Sequence, residues 1–108
     1  IRMNHVPTPL QPGMIITDEP GIYKAGSHGI RIETTLLIVP AQETDFGRFF
    51  KFEALTLCPI QKEAICIEMM NNEEIDWLNS YHAEVYRRLS PLLDEDHRKW
   101  LEQQCTPI

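Results

Sequence analysis

Glycine and proline divide this chain more sharply than any other feature. All five glycines and six of the eight prolines fall within residues 1–70, whereas residues 71–108 contain no glycine. Both residue types break helices, glycine through backbone entropy and proline through its missing N–H. The first part therefore reads as strands and turns, and the second as helix. Pro7, Pro9 and Pro12-Gly13 punctuate an extended entry segment. Met14-Ile15-Ile16-Thr17 is a short apolar strand, interrupted by Pro20-Gly21, and Gly26 and Gly29 bracket a turn. Ile30 to Val39 is rich in Ile, Leu, Thr and Val and is predicted as the best strand, ending at Pro40. Residues 41–52 read as a loop anchored by Phe46, Phe49, Phe50 and Phe52. Glu53 to Leu57 is a further short strand, and Ile65-Cys66-Ile67 a weaker one.

In the second part, Asn71 or Asn72 precedes Glu73, Glu74 and Asp76. An N-cap followed by acids in the first turn complements the helix dipole. Ile75, Leu78, His82, Val85 and Leu89 recur at steps of three and four and draw one apolar stripe, widened by Trp77 and Tyr81. On that stripe His82 is a packed core or interface histidine. Ser90-Pro91 ends this helix. Asp94 caps a shorter one, with Trp100, Leu101 and Cys105 inward, stopped before Pro107. The fold class is α+β: antiparallel strands from residue 14 to about 57, then two helices packed on them.

Composition removes several functions. A formal net charge of −6 argues against nucleic acid as a partner, since phosphate binding needs clustered Lys and Arg. The longest apolar run, Leu36 to Val39, is far short of the roughly 20 residues that cross a membrane. Arg2 is followed by polar residues and prolines, not by the apolar core of a signal peptide. The chain opens on Ile1 rather than Met, as an excised fragment would. Cys58, Cys66 and Cys105 are odd in number and form no CxxC pair. They read as buried or half-buried free thiols of a protein in a reducing, cytoplasmic compartment.

The chemistry concentrates between Thr17 and Glu33. Asp18 and Glu19 end an apolar strand before the Pro-Gly break. Arg31 and Glu33 lie two apart on the next strand and so share a face. Paired strands could set Glu19 opposite Glu33. Two such carboxylates repel unless a cation lies between them, either a metal pair or Arg31. An Arg–Glu ladder on a half-exposed hairpin explains the same residues without any catalysis.

Thr-x-Glu-Pro-Gly-x-Tyr at 17–23, followed by Gly-Ile-Arg-Ile-Glu at 29–33, resembles the C-terminal motifs of the pita-bread metallopeptidases, most of all Xaa-Pro aminopeptidase (aminopeptidase P). The separation of Glu19 and Glu33 matches the three-domain, eukaryotic-type branch. Phe52-Glu53-x-Leu55-Thr56-Leu57-x-Pro59-Ile60, Trp77-Leu78-Asn79-x-Tyr81-His82 and Trp100-Leu101 resemble that branch's C-terminal extension. The likeness thus covers nearly the whole chain. It places residues 1–43 at the end of a pita-bread catalytic domain and residues 44–108 in the extension.

The resemblance implies two divalent ions, manganese or zinc, held by two Asp, one His and two Glu. Glu19 matches the first of those glutamates, a ligand and a proton acceptor, and Glu33 the second, which bridges both ions. Tyr23 and Arg31 match positions that organise hydrogen bonds beside the site. The implied substrates are peptides with proline second. The two Asp and the His have no counterpart here, so the missing N-terminal part of the same chain is the expected partner. By itself the fragment is expected to be inactive and to hold manganese weakly or not at all. His5 and His28 fall off the family's ligand positions and read as solvated loop histidines, and His97 as a surface one. A homodimer through the C-terminal region is also implied. The alternatives are a prolidase-type dipeptidase, a more distant methionine aminopeptidase, and a dimerisation or interaction module built on Trp77, Tyr81 and Trp100.

Overall fold

The computed structural model describes residues 8–108, so His5 and the start of the entry segment lie outside the described residues. The chain forms two compact units, meeting in sequence between Thr56 and Leu57.

The first unit is built from five strands: β1 Ile15–Asp18, β2 Gly21–Lys24, β3 His28–Arg31, β4 Thr34–Thr44 and β5 Gly47–Ala54. Gln11-Pro12-Gly13-Met14 makes the entry turn. The Met14 N–H donates to the Gln11 carbonyl (3.1 Å), and Gly13 sits at φ +90°. Proline then glycine at the two central positions is the chemistry of a type II turn. β1 pairs with β4, β4 with β5 and β2 with β3, all antiparallel.

The two ladders β1–β4 and β2–β3 belong to one long hairpin. Asp18 opposes Thr34 at the end of the first, and Gly21 opposes Arg31 at the start of the second. The register is the same on both sides of the gap. Pro20 lies in that gap and has no N–H to give a ladder. The single strand expected over Ile30–Val39 is therefore two, broken at Ile32-Glu33 opposite Glu19-Pro20. His28, expected in a loop, is exposed but opens β3, where its Nδ1 lies 2.9 Å from the Ser27 hydroxyl.

β4 also does not stop at Pro40. The Ile38 N–H points to the β1 side, donating to the Met14 carbonyl at 3.0 Å. Alternate residues point the same way, so the proline nitrogen faces the side that β1 has already left, and no hydrogen bond is lost. A register shift between Pro40 and Gln42 follows, and the strand runs on to Thr44. The region expected as a loop is in fact a β4–β5 hairpin. Its turn is Asp45-Phe46, the Thr44 hydroxyl accepts the Phe46 N–H (3.2 Å), and Gly47 takes φ +119°. A glycine at positive φ just after the two central residues is the bulged type I hairpin signal. Ile38, 1% exposed, is the buried residue at the middle of this sheet.

The second unit holds helices α1 Asn72–Leu89 and α2 Glu95–Gln104. Asn71 and Glu74 form a reciprocal capping box, each side chain accepting the other's backbone N–H at 3.0 and 2.9 Å. Asp94 caps α2 by accepting the His97 N–H at 3.0 Å, and His97 is exposed. Between the helices, Pro91 sits in a 3-10 turn at Ser90–Leu92. Arg98 donates to the Ser90 and Leu93 carbonyls there. Val85, Leu101 and Cys105 form the core, flanked by Leu57, Tyr81, Tyr86, Leu89 and Leu93. Trp100, expected inward, is 55% exposed, because it precedes Leu101 on a helix whose buried face is a single stripe. Ile65-Cys66-Ile67 is not a strand. It joins two 3-10 turns, Lys62–Ala64 and Ile67–Met69. All three thiols are free, but Cys58 and Cys66 are exposed and only Cys105 is buried.

Two neighbouring side chains of α1 hold an extended segment against the helix. The Tyr81 hydroxyl donates to the Cys58 carbonyl (2.9 Å) and accepts the Cys58 N–H (3.3 Å). His82, fully buried, accepts the Ile60 N–H on Nε2 at 3.0 Å. That bond requires a bare Nε2, so the ring is neutral with its proton on Nδ1. Burial, and then the nearby Lys62 charge, hold the His82 pKa below its ordinary value. A folded pKa below the unfolded value of about 6.5 means stability is fully present above that pH. It is lost as pH falls through the folded pKa. The denaturation midpoint of the chain should therefore drop between about pH 7 and pH 5, and His82→Gln should flatten that part of the profile. An unchanged slope in the variant would show that His82 does not carry it.

Candidate metal centre

The long hairpin sorts its side chains by parity. Thr17, Glu19, Gly21 and Tyr23 on one arm share a face with Gly29, Arg31, Glu33 and Thr35 on the other. The even positions, Pro20, Ile22, Ile30 and Ile32, make the opposite, apolar face, where Ile22 directly opposes Ile30. Chemistry and hydrophobic surface are thereby separated by the pleat alone.

On the odd face a chain of polar contacts runs along the hairpin. The Thr17 hydroxyl donates to Glu19 Oε1 at 2.9 Å. Arg31 donates to Glu19 Oε2 in a close ion pair. Its Nε donates to the Tyr23 hydroxyl at 2.6 Å, and its guanidinium lies 5.6 Å from the centre of the Tyr23 ring. The Thr17 hydrogen bond, and next the Arg31 charge, hold the Glu19 carboxyl below its usual range. Glu19 is thus a carboxylate with each oxygen engaged by a different donor. The pair is well exposed, so its value lies in orientation more than in stability.

Glu33 enters by register. Continuing either ladder across the gap sets Glu19 opposite Glu33 and Pro20 opposite Ile32. The two glutamates themselves lie outside both ladders, and the register on either side allows the juxtaposition expected from sequence. Of the four residues singled out from sequence, Arg31 contacts both Glu19 and Tyr23, and Glu33 lies in the gap between the two ladders, where the register extrapolates it to their face.

Two carboxylates on one face are hard, charged oxygen donors of the kind divalent ions take. They fit part of a metal site. Among the described residues no group of three or more His, Cys, Asp and Glu is placed to hold an ion. Glu19 and Glu33 can supply two ligands and need others from elsewhere.

Three residues of this face stand in the quoted motif, but the sequence assigns them no role. Thr17 is one; its signal is a hydroxyl two residues before a carboxylate on a strand. The others are Gly21 and Gly29. A Cβ at Gly21 would lie 2.8 Å from the Tyr23 hydroxyl, and one at Gly29 2.6 Å from Tyr23 Cδ1. The tyrosine ring lies across both glycines, so their lack of a side chain, not an unusual φ, is what the site uses.

Residues 48–108 match the family described as the C-terminal region of peptidase M24, and residues 2–40 match metallopeptidase family M24. The chain belongs to the M24 metallopeptidase family. It is 41% identical over 107 residues to a probable Xaa-Pro aminopeptidase P of Laccaria bicolor, covering 94% of this chain and 16% of that protein. It is 43% identical to aminopeptidase P2 of Arabidopsis thaliana, covering 94% of this chain and 15% of that protein. The crystal structure of X-prolyl aminopeptidase from Caenorhabditis elegans, described as a cytosolic enzyme with a di-nuclear active site, superposes with a TM-score of 0.81 at 37% identity. That match covers 92% of this chain and 17% of the other. The M24 chain described here thus spans about one-sixth of the length of the relatives it matches. Its α+β architecture, antiparallel strands followed by two helices, is that of the matching part of a pita-bread aminopeptidase.

Replacing Gly29 by alanine should push the Tyr23 ring off the hairpin and break its contact with Arg31. Proton NMR reads this directly. The Hα resonances of Gly21 and Gly29 should be shifted upfield by the ring in the native chain and should relax towards ordinary values in Tyr23→Leu. Unshifted resonances in the native chain would place the ring elsewhere.

Proposed function

We propose that this chain is the C-terminal part of a dinuclear-metal aminopeptidase that releases an N-terminal residue preceding proline. The reading is supported by the contacts of Arg31 with Glu19 and Tyr23, and by a register that, continued across the gap, sets Glu33 opposite Glu19, in a chain of the M24 family. The names of the relatives, Xaa-Pro aminopeptidase P and aminopeptidase P, support the substrate class.

Glu19 and Glu33 would hold the metal pair together with ligands from the preceding part of the chain. The ions, manganese or zinc, would supply the positive charge that polarises the scissile carbonyl and lowers the pKa of the attacking water. Glu19 is, on the same reading, also the proton acceptor, and its two donors keep it ionised and fix its direction. Arg31 fixes the direction of that carboxylate and is itself fixed by Tyr23. Residues 1–43 belong, on this reading, to the catalytic domain and 44–108 to its extension. On the same reading the protein acts in the cytoplasm, where the Caenorhabditis elegans relative is described as working, and as a homodimer.

Two measurements test the reading. In the full-length enzyme, Glu33→Ala should lower hydrolysis of a Xaa-Pro peptide by at least about a hundredfold and reduce bound metal below two ions per chain. Activity within twofold of the native enzyme would remove Glu33 as a metal ligand. In the 108-residue chain alone, isothermal titration with manganese should show weak binding or none, since most of the ligand set is elsewhere. Tight stoichiometric binding would contradict it.

A further inference from the structure

The contacts of Glu19 are asymmetric in a way that separates two jobs. Oε2 faces a cation, Arg31, and Oε1 faces a neutral hydroxyl, Thr17. A cationic partner competes with a metal ion for the same carboxylate charge. A neutral donor carries no full charge to oppose the ion, and it fixes the direction of the oxygen it holds. Without the hydroxyl, the carboxylate could turn both oxygens onto the guanidinium fork, whose geometry suits bidentate pairing.

We propose that Thr17 is a positioning residue for metal binding: its hydroxyl holds Glu19 Oε1 so that Arg31 cannot take the carboxylate in both arms. The inference rests on the reading of Glu19 as a metal ligand. Several features make Thr17 suited to this. It lies on β1 two residues before Glu19, on the same face. It opposes Thr35 in the ladder, so its backbone is fixed by the pairing with β4. Its β-branched side chain has few rotamers, which narrows the direction of the hydroxyl. Ligand-orienting groups of this kind typically change metal affinity by about 10–100-fold when removed.

The test uses the full-length enzyme stripped of metal, with manganese binding read by calorimetry and hydrolysis of a Xaa-Pro peptide read separately. Thr17→Val keeps the shape and the strand preference and removes only the donor. It should weaken manganese binding about 10–100-fold, and at saturating metal it should lower kcat more than KM. Thr17→Ser restores the donor and should bind within about threefold of the native protein. In a Glu19→Ala background Thr17→Val should have no further effect, which a general packing role would not predict. Native affinity in Thr17→Val, or equal losses in Thr17→Val and Thr17→Ser, would overturn the proposal. If the valine variant does not fold, Thr17→Ala carries the same comparison. Glu33→Ala serves as the control for the parent reading. A Glu33→Ala enzyme that keeps both ions sinks that reading, whereas one that loses metal while Thr17→Val binds normally sinks only the role of Thr17.

Discussion

The alternation of one long antiparallel hairpin organises everything chemical in this chain. Pairing from Ile15 with Leu37 to Lys24 with His28 holds a single register, even though Pro20 interrupts the hydrogen bonds in the middle. A slip of one residue would exchange Glu19, Arg31 and Glu33 for Pro20, Ile30 and Ile32 on the working face. The apolar even face and the polar odd face therefore protect each other's placement. The interruption also falls at the two glutamates, which leaves their backbone outside the ladder while the ladder on either side fixes their direction.

The second unit relies on a different device. Few of its contacts with the segment 57–61 are backbone to backbone. Instead α1 presents a hydroxyl and an imidazole that stand in for a neighbouring strand, reading Cys58 and Ile60 at alternate positions. Lys62 then reaches the other helix, where its ammonium donates to the Gln103 and Thr106 carbonyls and to the Thr106 hydroxyl. Cations at a helix C-terminus satisfy carbonyls that have no partner within the helix. A single short stretch of irregular chain is thus tied to both helices.

Much of this was legible in the residues. The capping signal at Asn71, the cap at Asp94 and the apolar stripe through Leu78, His82 and Val85 stand as read, because each rests on local chemistry with one strong outcome, although Trp77, expected to widen that stripe, is 58% exposed. The misreadings share a cause. Pro40 marks a strand end only if its nitrogen faces a partner, and that depends on where β1 stops, which is information from another part of the chain. The Thr44–Gly47 turn was hidden because four phenylalanines within seven residues masked the alternation of β5. Trp100 went inward on hydrophobicity alone, although its neighbour Leu101 takes the single buried stripe of α2. Thr17, Gly21 and Gly29 gain their meaning only from where the Tyr23 and Glu19 side chains lie, and no pattern along the sequence states that.

The hairpin tip has a consequence of its own. Lys24 closes on His28 through Ala25-Gly26-Ser27, with the Ser27 N–H donating to the Lys24 carbonyl at 3.0 Å and Gly26 at φ +69°. The distance in sequence between Glu19 and Glu33 is set by how far this tip extends, but their mutual placement is not. Residues added one to each arm beyond Tyr23 and Gly29 would lengthen the finger and leave the two carboxylates opposed. An addition to one arm alone has to be absorbed in the turn or it inverts the face. The tip is therefore the part of the hairpin whose length can change while the register that opposes the two acidic residues is kept.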